Sequence, residues 1–304
     1  MSVATREAYG QALIELSHNP DVVVLDADLA KATKTIEFKK VCPERFFDMG
    51  IAEQDMMGTA AGLAACGKIP FASTFAMFAA GRAFEQVRNS VAYPRLNVKI
   101  AATHAGVTVG EDGGSHQAVE DMALMRSIPN MVVLNPVDAI EARQAVLAAA
   151  EYYGPVYIRL GRAATPQIHD DNYKFELGKG EVLRQGADVA IIATGIMVSK
   201  ALEAAGQLQK DGIAATVINI HTIKPIDRAL LVKAAKQCGK IVTAEEHSII
   251  GGLGSAVCEV LSQECPVKIK MLGLKDCFGR SGKAGELLEH YKLTAAEIVD
   301  ATKE

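Results

Sequence analysis

No two cysteines in this chain stand at C-x-x-C or metal-finger spacing, and no stretch completes a nucleotide-binding fingerprint. In GGLGSAV (251–257) the G-x-G-x-x-G spacing fails. In GRSGKAG (279–285) the glycines stand too close together, and Ala284 occupies the position where a phosphate loop needs Ser or Thr. The six cysteines (Cys42, Cys66, Cys238, Cys258, Cys265 and Cys277) lie partly in apolar runs, as free thiols do, and point to a reducing cytoplasm. The N-terminus has no signal-peptide character, and no apolar run approaches a membrane span of about 20 residues. Internal repeats and low-complexity segments are also missing. A net charge of −4 offers no electrostatic footprint for nucleic acid or an anionic membrane. What remains is a globular composition, 49% hydrophobic and 22% charged, in 304 residues, enough for two domains with their own cores.

The pattern along the chain is β then α, repeatedly. Residues 3–18 read as a helix with Ala8, Ala12 and Leu16 on one face. After Asn19-Pro20, VVVLDAD reads as a buried parallel strand with a loop at its carboxyl end. Strands follow at 98–106, 131–138 and 156–162, with a helix from Ala139. This alternation predicts a doubly wound α/β sheet, whose ligands sit beyond the carboxyl ends of the strands. Residues 166–180 read as a linker between a domain at 1–165 and a smaller parallel α/β domain at 181–304. The second pattern runs DVAIIATG, a helix near 198–210, AATVINI, a helix near 227–238, KIVTAEE, GGLGSAVCEVL and VKIKMLG, and closes with an amphipathic stretch from Leu287.

Two stretches could carry chemistry. From Asp48 to Arg88, Glu53 opens a helix in which Gly58, Ala61, Gly62 and Ala65 form a small face that lets another backbone approach. A second helix carries Arg82, Glu85 and Arg88. Glu53 reads as a lone carboxylate in apolar surroundings, which either complements the helix N-terminus or, held protonated, donates a hydrogen bond to a ring nitrogen. From Thr103 to Pro136, His104 and His116 bracket Glu111, Asp112 and several glycines. Histidines in a close-approaching loop suit acid–base work. A metal site is poorly supported by two histidines without a third ligand, and an incidental polar loop is the bland alternative.

GIAEQ, the Ala/Gly helix and STFAMF together resemble the pyrimidine-binding domain of thiamine-diphosphate enzymes, the transketolase group in particular. The resemblance implies that Glu53 bonds N1′ of the cofactor's aminopyrimidine and so promotes loss of the thiazolium C2 proton. The family's T-H-D-S-[apolar]-G-x-G-E-D-G-P-T-H-Q-P is retained at Thr103, His104, Gly110, Glu111, Asp112, Gly113, His116 and Gln117. By family precedent His104 lies near a substrate phosphate, Asp112 meets the donor hydroxyl beside the carbonyl, and His116 bonds groups near the reacting carbons. Ala105-Gly106 replaces Asp-Ser and Gly114 replaces Pro. Arg6 and Arg162 match phosphate-holding arginines, Asp28 an aspartate near the thiazolium, and Phe75 and Phe78 aromatics that pack on the pyrimidine. Gly81 stands where many relatives have Tyr. HTIKPID and EEHSIIGGLGSAV resemble the family's C-terminal domain.

A complete enzyme of this group also needs a G-D-G…N domain that binds the diphosphate through a cation, and this sequence has no G-D-G. The expectation is therefore the C-terminal subunit of a split transketolase that carries no metal of its own. Mg²⁺ or Ca²⁺ would be held by an N-terminal partner, and the chain would be a homodimer within a two-plus-two heterotetramer acting on sugar phosphates. A deoxyxylulose-phosphate-synthase-like or 2-oxo-acid decarboxylase half and a non-catalytic homologue are the alternatives.

Overall fold

A computed structural model describes residues 2–303. In chain order the first half contributes β1 (Ser2–Ala4), β2 (Val22–Asp26), β3 (Phe46–Asp48), β4 (Ile69–Phe75), β5 (Lys99–Thr103), β6 (Val132–Leu134), β7 (Val156–Arg159) and β8 (Ala164–Pro166). β2 to β7 form a parallel sheet in the order β6-β7-β5-β4-β2-β3. Every residue of β2 is buried, as a branched apolar run covered on both faces requires. Alternate residues serve opposite sides. Val22 and Val24 pack with Tyr9 and Leu13 of helix Thr5–Leu16 and Val146 of helix Ala139–Glu151. Val23 and Leu25 pack with Met56, Met57 and Ala60 of helix Glu53–Ala65.

The second half adds β9 (Glu181–Arg184), β10 (Val189–Ala193), β11 (Ala215–Asn219), β12 (Thr222–Lys224), β13 (Lys240–Ser248) and β14 (Lys268–Leu274). Five of these make a sheet in the order β14-β13-β10-β11-β9, parallel except for β9. The two α/β domains expected from the alternation are present.

Four local features differ from the sequence reading. The helix begins at Thr5, because Ser2–Ala4 instead pairs antiparallel with Ala164–Pro166. β12 leaves its own half and pairs antiparallel with β6, drawn there by Ile220, Ile223 and Leu231 packing on Met122, Met125 and Val133. The Arg82 helix is irregular, with wide π-type turns at Phe78–Arg82 and Val87–Ala92 around a short α-helical piece. The small helix face is split: Ala61 is buried in the core, while Gly58, Gly62 and Ala65 face outward. Among the described residues no helix is long and apolar enough to cross a membrane.

A polar joint ties the halves together. Asp138 caps helix Ala139–Glu151 by accepting from Glu141 N (2.9 Å), and its other oxygen accepts from the backbone N–H of Ile168 and His169 (2.8 Å each). The His169 ring lies between that oxygen (3.1 Å) and Glu181 Oε2 on β9 (2.7 Å). Glu141 Oε1 accepts from Tyr173 Oη (2.6 Å) and from Asn219 Nδ2 of β11 (2.8 Å). Burial opposes a charge on His169, yet its hydrogen bonds to Asp138 and Glu181 raise its pKa to about 10. The ordinary value is 6.5, so the imidazolium stabilises the fold fully below that pH and loses its contribution as pH climbs toward 10. His169→Gln should cost about 3 kcal/mol near neutrality, the scale of a broken buried pair. Urea melts of both proteins at pH values from 6 to 10 should show the wild type losing more stability than the variant across that window. Parallel pH profiles would mean that His169 is uncharged in the folded state.

Candidate functional site

β7, β5, β4, β2 and β3 are successive neighbours, and their carboxyl ends lie on one edge of the sheet at strand spacings of about 4.8 Å. Arg162, His104, Phe75, Asp28 and Asp48 therefore leave the sheet in a row, and the turn after Asp48 delivers Glu53 to the same edge. The row contains two residues held in left-handed backbone, Asp28 (φ 60°) and His104 (φ 56°). Neither is glycine, so each is a strained position of the kind that gathers at working sites.

Glu53 is the first residue of its helix and only 1% exposed. The sequence offered it no cation; the structure supplies Arg82, whose Nη1 donates to Glu53 Oε2 at 2.7 Å. Thr74 Oγ1 donates to Oε1 over a longer 3.3 Å. The Arg82 guanidinium also lies over the Phe78 ring, 4.4 Å from its centroid. Phe78 in turn stacks beside Phe75, with centroids 6.0 Å apart and planes inclined by 16°. A buried carboxylate thus opens onto an aromatic floor.

His104 stacks on Phe75 from the neighbouring strand end, centroids 3.8 Å apart. Its Nε2 lies 2.9 Å from Arg6 Nη1 and its Nδ1 lies 2.9 Å from Thr103 Oγ1. A guanidinium can only donate, so Nε2 accepts and the ring proton sits on Nδ1. Burial, then the charges of Arg6, Arg162, His116 and Lys34, push its pKa down to about 3. His104 is therefore a neutral acceptor that aims Arg6, whose Nη1 also donates to Ala32 O at 3.0 Å. Arg162 donates to Val109 O at 2.5 Å and lies 3.5 Å from Asp112. His116 presents its ring edge-on to Phe78 at 5.4 Å and to Phe75 at 6.2 Å.

The second half braces the loop that carries Asp112 and His116. Gln117 Nε2 contacts Val107 O, Gly110 O (3.1 Å each) and Arg280 O (2.9 Å). A Cβ at Gly114 would stand 2.6 Å from Gly279 O, a backbone atom, so the approach of the second half requires glycine there. At Gly113 (φ 78°) it would stand 2.5 Å from Ser281 Oγ.

Ring stacking and contacts thus join Phe75, Phe78, His104, His116 and Arg6, Arg82 links Glu53 to Phe78, and Arg162 meets Asp112. Asp28 stands in the row but is exposed, and its backbone N–H donates to Asp48 Oδ1 at 3.2 Å. Sequence reasoning missed the Arg82–Glu53 pair, the Thr74 contact and the Gln117 brace, because their partners lie 29, 21 and 163 positions away. The signal available for Arg82 was its place four residues after Phe78 on the face of one helical stretch. Among the described residues, the group with metal-ligand proximity is Glu141, His169 and Glu181 in the polar joint. The His104–His116 pair forms no such group.

Residues 1–167 match the family described as transketolase, pyrimidine binding domain, and residues 178–298 match transketolase, C-terminal domain. A chain of Methanocaldococcus jannaschii, provisionally described as a transketolase C-terminal section, is 53% identical over 96% of this chain and 93% of its own length. A 6-deoxy-6-sulfo-D-fructose transketolase subunit of Clostridium sp. (strain MSTE9) is 47% identical over 98% of this chain and 93% of its own. Among solved structures, a split-gene transketolase described as an inactive β4 tetramer superposes with a TM-score of 0.93 at 60% identity. The match covers 99% of this chain and 97% of that one.

The neutral state of His104 is directly measurable. In nitrogen-15 NMR of the labelled chain, its ring should keep the Nδ1–H tautomer from about pH 5 to about pH 9. A midpoint near the ordinary 6.5 would show that Arg6 does not hold the ring.

Proposed function

This chain belongs to the transketolase family, and we propose that it is the C-terminal subunit of a split transketolase that moves a two-carbon ketol unit from a ketose phosphate to an aldose phosphate. The observation that carries the reading is the buried Glu53 carboxylate, joined through Arg82 to the Phe75–Phe78 floor, at an edge that also carries Arg162 and, held by His104, Arg6. The pyrimidine half of thiamine diphosphate fits this arrangement: a planar ring with an in-plane nitrogen needs a stacking surface and a carboxylate at its edge. When bound, the cofactor supplies the thiazolium carbon that accepts the ketol unit.

The chain's own groups then have distinct tasks. Glu53 holds or moves the proton at the ring's N1′, which is general acid–base work. Phe75 and Phe78 orient the ring. Arg6, aimed by neutral His104, and Arg162 grip the anionic far end of the sugar, a guanidinium fork on an oxyanion. Asp112, steadied by Arg162, receives the donor hydroxyl, while His116 at the floor's edge bonds groups near the reacting carbons. Asp28 faces the thiazolium side. The diphosphate and its Mg²⁺ or Ca²⁺ belong to an N-terminal partner, a reading supported by relatives described as a C-terminal section and as a transketolase subunit. Homodimerisation of this subunit within a two-plus-two cytoplasmic assembly completes the proposal. The sulfonated sugar in a relative's name supports a far-end site selected for an oxyanion, and a donor panel of phosphorylated and sulfonated ketoses identifies which.

In the reconstituted pair, Glu53→Gln should lower ketol transfer by at least about 10²-fold, the effect of losing one acid–base group. Near-wild-type turnover would remove Glu53 from the chemistry. His104→Ala and Arg162→Ala should instead raise KM for anionic donors, each by about tenfold or more, with kcat little changed. Steady-state kinetics with loss of kcat at constant KM would contradict the far-end assignment.

A further inference from the structure

Arg82 is the charged group at the aromatic floor that the proposed chemistry leaves without a task. It holds both partners that a bound pyrimidine would need. Its Nη1 is 2.7 Å from Glu53 Oε2, and its guanidinium carbon is 4.4 Å from the Phe78 centroid. A guanidinium is planar and cationic, with N–H donors in its plane and a face that stacks on aromatics. An aminopyrimidine protonated at its ring nitrogen has the same three properties. One edge of Glu53 and one face of Phe78 cannot serve both at once.

Resting on the thiamine-site reading above, we infer that Arg82 is a stand-in for the cofactor ring. In the unloaded subunit it neutralises Glu53 and covers Phe78, and loading requires it to swing away. The asymmetry of exposure suits such a role. Glu53 is buried, and stranding a buried charge without a partner is strongly destabilising. The Arg82 side chain is 44% exposed, so its guanidinium can leave into water at little cost. The π-type turn that carries it, Phe78–Arg82, sets it on the open side of the floor. A subunit built this way keeps a cofactor-ready carboxylate buried and paired until its partner brings the rest of the site.

Such a stand-in lowers the observed cofactor affinity by the fraction of subunits in which it still occupies the seat. Removing it should therefore tighten binding. The test is calorimetric titration of thiamine diphosphate with Mg²⁺ into the complex of this chain with its diphosphate-binding partner, comparing wild type, Arg82→Ala and the closer-shaped Arg82→Gln. The expected result is an apparent Kd about tenfold lower in both variants, alongside a lower melting temperature of each variant chain alone. Side-chain N–H exchange of Arg82 should be slow in the free wild-type chain and fast after loading. Unchanged or weaker binding in the Arg82 variants, or N–H protection that survives loading, would overturn the stand-in. Adding Glu53→Gln to Arg82→Ala separates this from the underlying reading. Affinity should fall on that addition, and no change there would overturn Glu53 as the ring's partner instead.

Discussion

Parallel strands all end on the same edge of their sheet, and at this edge the order β7-β5-β4-β2-β3 turns distant sequence into one row. Arg162 follows β7, His104 follows β5, Phe75 ends β4, Asp28 follows β2 and Asp48 ends β3. Nothing local brings these residues together. The pairing of buried backbones does so, because each strand must satisfy its amides with its neighbours before any side chain can be aimed. The polar side chains then need only short reach, and ring stacking of Phe75 with Phe78 and His104 fixes their spacing.

Burying charge is costly, and several buried charges are met by partners placed for them. Asp121 accepts from Arg159 Nε (2.9 Å) and Tyr157 Oη (2.8 Å), while Arg159 also donates to Glu246 O of the second half (3.0 Å). Lys99 is wholly buried and donates to Asn97 Oδ1, Tyr152 O and Gly154 O at 2.6–2.8 Å; burial draws its pKa down to about 7. Arg159 and the Asp138–His169–Glu181 joint tie the two halves through charged groups, beside the apolar core they share. Breaking one partner in such a cluster leaves the other uncompensated, so their role is to fix geometry more than to add net stability.

Much of this was readable in the residues themselves. The run VVVLD read as a buried parallel strand, and a helix was expected from Ala139, where the structure begins helix Ala139–Glu151. The transketolase motif kept enough of its spacing to single out Glu53, His104, Asp112 and His116 from the sequence. Several of the misses share a cause. β1, β9 and β12 are three or four residues long, too short for a period of two to register, and each pairs with a strand distant in sequence. The Glu53–Arg82 pair is likewise a fact of tertiary packing. Glu53 looked like a lone acid because a sequence displays neighbours along the chain and not across it.

β12 carries a practical consequence for anyone handling the first half alone. It is supplied by the second half, yet it closes the β6 side of the first sheet. Severing the chain in the connecting segment would bare the backbone of Val132–Leu134, and beside it the methionines Met122 and Met125 that Ile223 had covered. An unpaired strand next to a sticky apolar patch invites another chain to add itself there. The excised piece would thus be expected to clump, however well its own strands are made.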